Sequence, residues 1–463
     1  MEFDYNTLLN DTIDAISMRQ GFTSDPLEDT KPMSTGMLML DLIYGGGIRP
    51  AWYTHYGREQ SCKTTGALSI LASAIKQDIP MIAFCDYEGS TKNSQPYVAS
   101  ILQTMGVNKT IKQVFGERDK ETGEWITKPI VRYRAETLGE KFFTWLSEIL
   151  RQLPDKKKVA GKWWYVFEDN KANKAKLGEF ADKNMPKKYG PGLWIPAKDD
   201  KLQAIVLLDS YPGMNPEAND EEERNKTIAL RARMFSDQIP RVKGRLAPKM
   251  VAVIGINQLR AAPMAMYGPS ETEPCGEALK FYSDCRCKFT PRASGMPFSP
   301  TFDTESKMEI EPSVTGEGQD KYRYLAIQAT KNKLWTPNRK GWLRLWAEDA
   351  EGQGKGFDPV FDTACYLYYT GQLAYRGRKT MKLRFIHSSK EEPKIIPIKW
   401  EQIKRWVLGD REGMKQVCTE LGIEKPFSLR RECFRQMENG LGEKLYVNTQ
   451  QKKNASTDSE DEE

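Results

Sequence analysis

Histidine is nearly absent from this chain: only His55 and His387 occur in 463 residues. Histidine-based metal sites and nucleophile–histidine arrangements have little to work with. The eight cysteines (Cys62, Cys85, Cys275, Cys285, Cys287, Cys365, Cys418 and Cys433) never form a C-x-x-C pair. That argues against a zinc site and a disulfide framework, and it points to a reducing, cytoplasmic compartment. Long apolar runs are missing as well. Met250–Ile256 is among the longest, far short of the roughly 18 residues a membrane span needs, so no membrane partner is expected. Met1-Glu2-Phe3-Asp4 does not open a basic-then-apolar leader, so no signal peptide is expected.

Charge is spread unevenly. Lysine and arginine number 69 against 63 acids, and five of those acids fall within the last six residues, Asp458–Glu463. The body is therefore basic and the tail acidic. A basic body suits a polyanion, and an acidic terminus can compete for the same surface; a solvated, disordered tail explains the same composition. The length allows two to three domains. The expected division is an N-terminal helical segment over 1–33, a core over 34–375 with an insertion at about 115–200, a small C-terminal domain over 376–450, and an acidic disordered tail over 451–463. The first segment, with its amphipathic stretch Tyr5–Met18, either caps the core or packs on a neighbouring subunit.

What the chain does contain is a strand, a loop and a helix in the order a phosphate-binding loop requires. The loop reads Gly57-Arg58-Glu59-Gln60-Ser61-Cys62-Lys63-Thr64-Thr65. In the pattern G-x-x-x-x-G-K-[ST], backbone N–H groups wrap the phosphates, the lysine reaches the β and γ oxygens, and the hydroxyl holds magnesium. Gly57, Lys63 and Thr64 are in place, but Cys62 stands where the second glycine belongs. The local backbone is therefore expected to avoid any conformation that only glycine tolerates. The β-prone run Trp52–Tyr56 precedes the loop. After it, Lys63–Gln77 carries Leu68, Leu71, Ala72 and Ile75 at helical spacing, placing Lys63 and Thr64 where a helix N-terminus favours anions. A strand-to-helix turn that happens to hold Lys-Thr-Thr would carry the same letters, so the rest of the chain decides.

From Ser34 to about Phe289, apolar runs alternate with helical segments, the pattern of an α/β domain with a mostly parallel sheet. Met81–Asp86, Ala204–Asp209 and Met250–Gln258 are unbroken apolar runs ending in polar residues, as central strands buried on both faces should be. Ligands bind at the carboxyl ends of such strands, which gathers Glu88, Asp209, Asn257 and Gln258 near the loop. Asp209 reads as the carboxylate that holds magnesium with Thr64. Glu88 reads as the group that orients and deprotonates a water for attack on the γ-phosphate. Between Val107 and Lys201 the periodicity fails. Asp155-Lys156-Lys157-Lys158 and Lys162-Trp163-Trp164-Tyr165 mix charge with rings, which suits either a single-strand-binding surface or a solvated insertion with locally packed aromatics. Residues 217–227 and 261–277 read as loops at the ligand edge. Beyond Thr290, strands are expected at Tyr322–Gln328 and Trp342–Trp346, and helices at Trp400–Val407 and Arg411–Leu421.

Taken together, these stretches resemble RecA-type ATP-dependent DNA recombinases. Ser34-Thr35-Gly36 with Leu40-Asp41 and the Gly45-Gly46-Gly47 turn is similar to that family's approach to the loop. Cys85-Asp86-Tyr87-Glu88 resembles its strand ending in Asp-x-Glu, and Ile256-Asn257-Gln258-Leu259-Arg260 its Ile-Asn-Gln-Ile-Arg segment. Tyr267-Gly268-Pro269 and Gly276–Tyr282 look like its second DNA-binding loop and the segment that closes it. Thr330-Lys331-Asn332-Lys333 resembles a strand that reaches across an interface to a neighbour's ATP. The resemblance implies a RecA-like P-loop ATPase core with a small C-terminal α+β domain, and ATP and magnesium as cofactors. It assigns Gly57 through Thr65, Tyr97 and Asp209 to nucleotide binding, and Glu88, Lys63, Gln258, Lys331 and Lys333 to catalysis. It assigns Arg224, Lys226, Arg260, Met264, Met266, Tyr267, Gly268 and Lys280 to DNA. The implied partners are single-stranded DNA, a homologous duplex, further copies in a helical filament, a single-strand-binding protein and a mediator or loader. The implied activity is strand exchange in recombination and repair. Two alternatives share the core: a ring-forming replicative helicase, and a nucleotide-gated single-strand-binding scaffold with weak ATPase.

Overall fold

The computed structural model describes residues 30–185, 189–217, 224–261, 271–291, 321–348, 355–376, 380–385 and 395–458. In chain order come α1 (Leu38–Tyr44), β1 (Trp52–Gly57), α2 (Lys63–Lys76), β2 (Met81–Asp86), α3 (Gln95–Thr104) and α4 (Ile111–Phe115). A short hairpin of β3 (Glu117–Arg118) and β4 (Trp125–Thr127) precedes β5 (Val131–Ala135) and α5 (Gly139–Gln152). Next are β6 (Asp155–Val159), β7 (Lys162–Phe167), α6 (Lys171–Leu177) and β8 (Leu193–Pro196). The chain returns through β9 (Ala204–Asp209), α7 (Arg224–Lys243), β10 (Val251–Gln258), β11 (Arg260–Ala261), β12 (Glu271–Thr272), α8 (Ala278–Tyr282) and β13 (Cys285–Pro291). It continues with β14 (Lys321–Asn332), β15 (Lys340–Glu348), β16 (Gly356–Phe357) and α9 (Pro359–Tyr369). The C-terminal part holds β17 (Leu373–Arg376), β18 (Thr380–Arg384), β19 (Ile395–Ile398), α10 (Trp400–Leu408), α11 (Arg411–Glu420), α12 (Leu429–Glu438) and α13 (Leu441–Asp458).

One nine-stranded sheet, in the order β16-β15-β14-β13-β1-β10-β9-β2-β5, organises the chain. The six strands from β13 to β5 are mutually parallel, and β14, β15 and β16 extend the sheet antiparallel on one side. This is the α/β core expected from the sequence. β1 and β9 are buried at every position, as apolar runs covered by helices on both faces must be. One face carries α1, α2 and α3 with the C-terminal helices; the other carries Phe142, Phe143 and Leu146 of α5 against Phe235 and Ile239 of α7. The C-terminal helices are fastened to the core by charge as well as packing. Asp362 accepts from the N–H groups of Leu38 and Met39 at the start of α1 and pairs with Arg430 of α12 at 2.8 Å. Buried Asp41 accepts from the N–H and hydroxyl of Thr35 at 2.7 and 2.6 Å, which ties down the stretch leading to the loop. Among the described residues, no helix is long and apolar enough to cross a membrane.

Three expectations change. The insertion expected at about 115–200 is not foreign throughout, because β5 pairs with β2 at the edge of the main sheet and α5 packs beneath it. The separate part is the three-stranded sheet β6-β7-β8. The strand was hard to see because Val131-Arg132-Tyr133-Arg134-Ala135 is an edge strand with polar residues, which blunt an exposed sheet edge. Residues 224–227, expected in a loop, begin helix α7. Residues 451–458, expected in a disordered tail, continue helix α13, and 459–463 lie outside the described residues. Cys62 adopts the left-handed conformation (φ 59°, ψ 28°), so the loop avoids the regions that only glycine tolerates, as expected. Left-handed α is disfavoured for side chains other than glycine but open to them, at a cost of about 1–2 kcal/mol. Residues 1–29 of the N-terminal segment lie outside the described residues; Met33 bridges to Ile48 beside α1.

Candidate nucleotide site

The loop between β1 and α2 owes its shape to one obligatory glycine and two left-handed residues. A Cβ on Gly57 would collide with the backbone carbonyl of Phe289 in the neighbouring strand β13. Gln60 (φ 57°) and Cys62 (φ 59°) then turn the chain so that the first helical bond, from Gly66 N–H to Cys62 O, closes at 3.0 Å. Lys63 starts the helix. Its Nζ donates to the carbonyls of Gly57 (3.0 Å) and Arg58 (2.7 Å) and to Ser61 Oγ (3.0 Å), so the amine lies inside the loop that it would share with a phosphate. Burial lowers the Lys63 pKa, opposed by the charges of Asp209 and Glu88.

Around the loop lies a cavity of about 540 Å³, lined by residues 59–65 with Glu88, Tyr97, Asp209, Ile256, Gln258, Arg323 and Leu345. The polar side chains from three strand ends are linked in pairs. Thr64 Oγ1 donates to Asp209 Oδ2 at 2.7 Å. Burial, with Glu88 and Asp86 close by, raises the Asp209 carboxyl to about 7. Ser210 Oγ (2.6 Å) and Gln258 Nε2 (3.1 Å) both donate to Glu88 Oε1. Tyr97 OH meets Thr65 Oγ1 at 2.8 Å. Among the described residues, no group of three or more His, Cys, Asp or Glu side chains is placed to hold a metal ion. Thr64 and Asp209 nevertheless fit magnesium, which takes one or two protein oxygens and completes its shell with phosphate oxygens and water. A buried carboxylate crowded by two others also gains from a nearby cation.

Several of the assigned residues lie outside the cavity. Arg58 does not line the cavity; its side chain turns outward and meets Glu271 of β12 at 2.5 Å. Arg260 is exposed on β11, which pairs with β12 as a two-stranded ribbon on either side of residues 262–270. Met264, Met266, Tyr267 and Gly268 lie in that interval, outside the described residues. The ribbon is held by charge: Glu271 also meets Lys288 at 3.0 Å, and Glu273 accepts from Asn257 (3.0 Å) and pairs with Arg286. Lys280 on α8 pairs with Glu277. Lys331 and Lys333 fall at the amino edge of the parallel strands, where Lys331 pairs in register with Arg286 and its Nζ donates to the carbonyls of Lys280 (2.7 Å) and Phe281 (2.8 Å). Neither lysine lines this chain's own cavity. Arg224 and Lys226 lie in the first turn of α7.

Three residues of the site went unread in the sequence. Asp86 accepts from the N–H groups of Glu88 (3.2 Å), Gly89 (2.7 Å) and Thr91 (3.0 Å) and from Tyr133 OH (2.9 Å), and so sets the turn that presents Glu88. Its place at a strand end, two residues before Glu88, was the available signal. Ser210 likewise follows a strand-ending aspartate. Arg323, from the antiparallel extension, donates to Gln60 O at 3.0 Å at the mouth of the cavity, and nothing in its sequence neighbourhood marks it.

A family model described as the RecA N-terminal domain matches residues 199–308, which hold β9, β10 and β13. Over this stretch the chain is similar to the RecA N-terminal domain. Its relatives include Protein RecA of Thermus aquaticus, 31% identical over 174 residues, or 37% of this chain and 44% of the relative. Protein RecA of Staphylococcus aureus (strain JH9) is 39% identical over 199 residues, covering 41% and 51%. Protein RecA of Rhodopirellula baltica is 37% identical over 83 residues, covering 18% and 22%. The chain thus spans about half, or less, of the length of these curated relatives. Its β6-β7-β8 sheet, at 155–196, precedes the segment that the family model matches.

Proposed function

We propose that this chain is an ATP-dependent recombinase of the RecA type that assembles on single-stranded DNA, pairs it with a homologous duplex and exchanges strands. The observation that carries the reading is the convergence of Lys63, Thr64, Asp209, Glu88 and Gln258 from four separate stretches onto one cavity. Lys63 would leave its loop carbonyls for the terminal phosphates, and the loop N–H groups at the start of α2 would add a positive pole. Thr64 and Asp209 would hold magnesium, which when bound neutralises phosphate charge. Glu88 Oε1, held by Ser210 and Gln258, is available to take a proton from a water attacking the γ-phosphate. Because Gln258 also begins the approach to the β11–β12 ribbon, a change in its bond to Glu88 would reach residues 262–270 through Arg260.

The test is strand exchange between single-stranded DNA and a homologous linear duplex. Joint molecules that require both ATP and homology are expected. Strand displacement that ignores homology, by closed rings in electron micrographs, would replace the reading with a helicase. DNA binding with neither turnover nor joint molecules would replace it with a scaffold.

A further inference from the structure

The sheet β6-β7-β8 has two unlike faces. Register places Lys156 opposite Tyr165, Lys158 opposite Trp163, Tyr165 opposite Ile195 and Phe167 opposite Leu193. Alternation therefore puts Trp163, Tyr165 and Phe167 in one row on the central strand, with Lys158, Leu193 and Ile195 beside them. The opposite face carries Trp164, Val166 and Trp194. There Trp194 is buried against Tyr189, next to Val166, and the indole N–H groups of Trp164 and Trp194 are enclosed. On the ring-bearing face Trp163, Tyr165 and Phe167 are each partly exposed, and the buried Lys156 amine lies over the Tyr165 ring.

Charge completes the picture. Residues 155–201 carry 12 lysines against seven acids. Lys156 is already committed to Asp199 and the Lys201 carbonyl, but Lys158 lies over the Trp163 ring and Lys162 is exposed at the turn between β6 and β7. Rings at positions i, i+2 and i+4 of a strand stand about 6.6 Å apart, twice the spacing of stacked bases, so an unpaired strand can lay one opened base on each ring. Stacking of this kind tolerates any sequence, and lysines beside it take the backbone phosphates. The sheet is anchored at the amino edge of the core, through Lys156 N–H to the Pro248 carbonyl and Lys201 Nζ to the Gln77 carbonyl, away from the strand ends that form the nucleotide cavity. We propose that the β6-β7-β8 face is a second, nucleotide-independent binding site for single-stranded nucleic acid. It does not depend on the recombinase reading.

The test uses the full-length protein with a fluorescent oligothymidylate of about 16 nucleotides, a length within one single-strand site, in the absence of nucleotide. The oligomer is expected to bind, to photocrosslink to the peptide holding Trp163–Phe167, and to do both equally in a Lys63→Ala background. Trp163→Ala with Tyr165→Ala should weaken binding by roughly tenfold or more, and Trp163→Phe with Tyr165→Phe should keep it within about threefold, since the rings remain. An unlabelled duplex of the same length should compete poorly. Should the alanine pair unfold the sheet, Lys158→Glu, which leaves the rings in place, decides by a loss of at least about threefold. Crosslinks confined to regions outside 155–201, unchanged affinity in the ring or charge variants, or equal competition by duplex would each overturn the proposal.

Discussion

The nucleotide cavity and the β6-β7-β8 sheet use polar chemistry in opposite ways. In the cavity, Lys63, Thr64, Asp209, Glu88 and Gln258 are each bonded to another group of the site, so a ligand must exchange bonds that already exist. On the sheet, the ring row is partly exposed, with Lys156 over Tyr165 and Lys158 over Trp163, and stacking needs only contact. The difference teaches where selectivity comes from. A preorganised site discriminates because breaking its bonds must be repaid bond for bond, whereas a stacking surface accepts whatever carries an open base.

Variants can break or sharpen this comparison, and those at the cavity should act most strongly. Lys63→Ala should abolish nucleotide-dependent DNA binding, with affinity for ATP down by roughly a hundredfold; filaments that still respond to ATP would sink the assignment. Glu88→Gln should leave ATP binding and assembly intact while turnover falls by roughly 10²–10⁴-fold, the usual contribution of a general base. Wild-type phosphate release from that variant would remove Glu88 from the role.

A smaller effect separates the two regions by pH. His55 is fully buried in β1, and burial lowers its pKa from 6.5 to about 3. The unfolded chain binds this proton below about 6.5 and the folded chain does not, so acid favours unfolding. Between pH 7 and 5 the core should lose about 2 kcal/mol from this residue. No histidine lies in 155–201. The raised carboxyls of Asp41 and Asp209 act with the opposite sign over the same range, so the His55 share is read as the difference in pH slope between wild type and His55→Phe. Arg323→Ala should weaken ATP binding by about threefold to tenfold, as an exposed cation at the cavity mouth allows. Smallest of all, Cys62→Gly should keep or slightly raise nucleotide affinity and shift stability by under about 1 kcal/mol, because relief of the left-handed strain is offset by a freer unfolded chain. A clear loss of affinity would reveal a purpose for the thiol.

The core was legible because its rules act on backbone and burial. Strands β2 and β9 run over the same residues in the sequence reading and in the structure, because unbroken apolar runs between turns leave few alternatives. The residues converging on the cavity were legible because they sit at strand ends, which the parallel topology gathers. Arg323 was not, because it enters from an antiparallel strand more than a hundred residues downstream of Asp209, and only pairing through β13 and β14 brings it to Gln60. β5 was lost for the reason that makes edge strands hard to see: half its residues face water. Cys62 is accommodated because the turn requires left-handed α, which is open to side chains, and no conformation reserved for glycine.

The position of Lys331 and Lys333 has a consequence for how activity must scale. If these amines serve phosphate chemistry, they serve a cavity on another copy, since they do not line their own. A row of n copies then has n − 1 finished sites and one idle end. Specific activity would rise with protein concentration before levelling off, and a small fraction of Lys331→Ala, Lys333→Ala subunits would silence their neighbours while remaining able to bind nucleotide themselves. On that arithmetic the working unit is the seam between two chains, and dilution alone is an inhibitor.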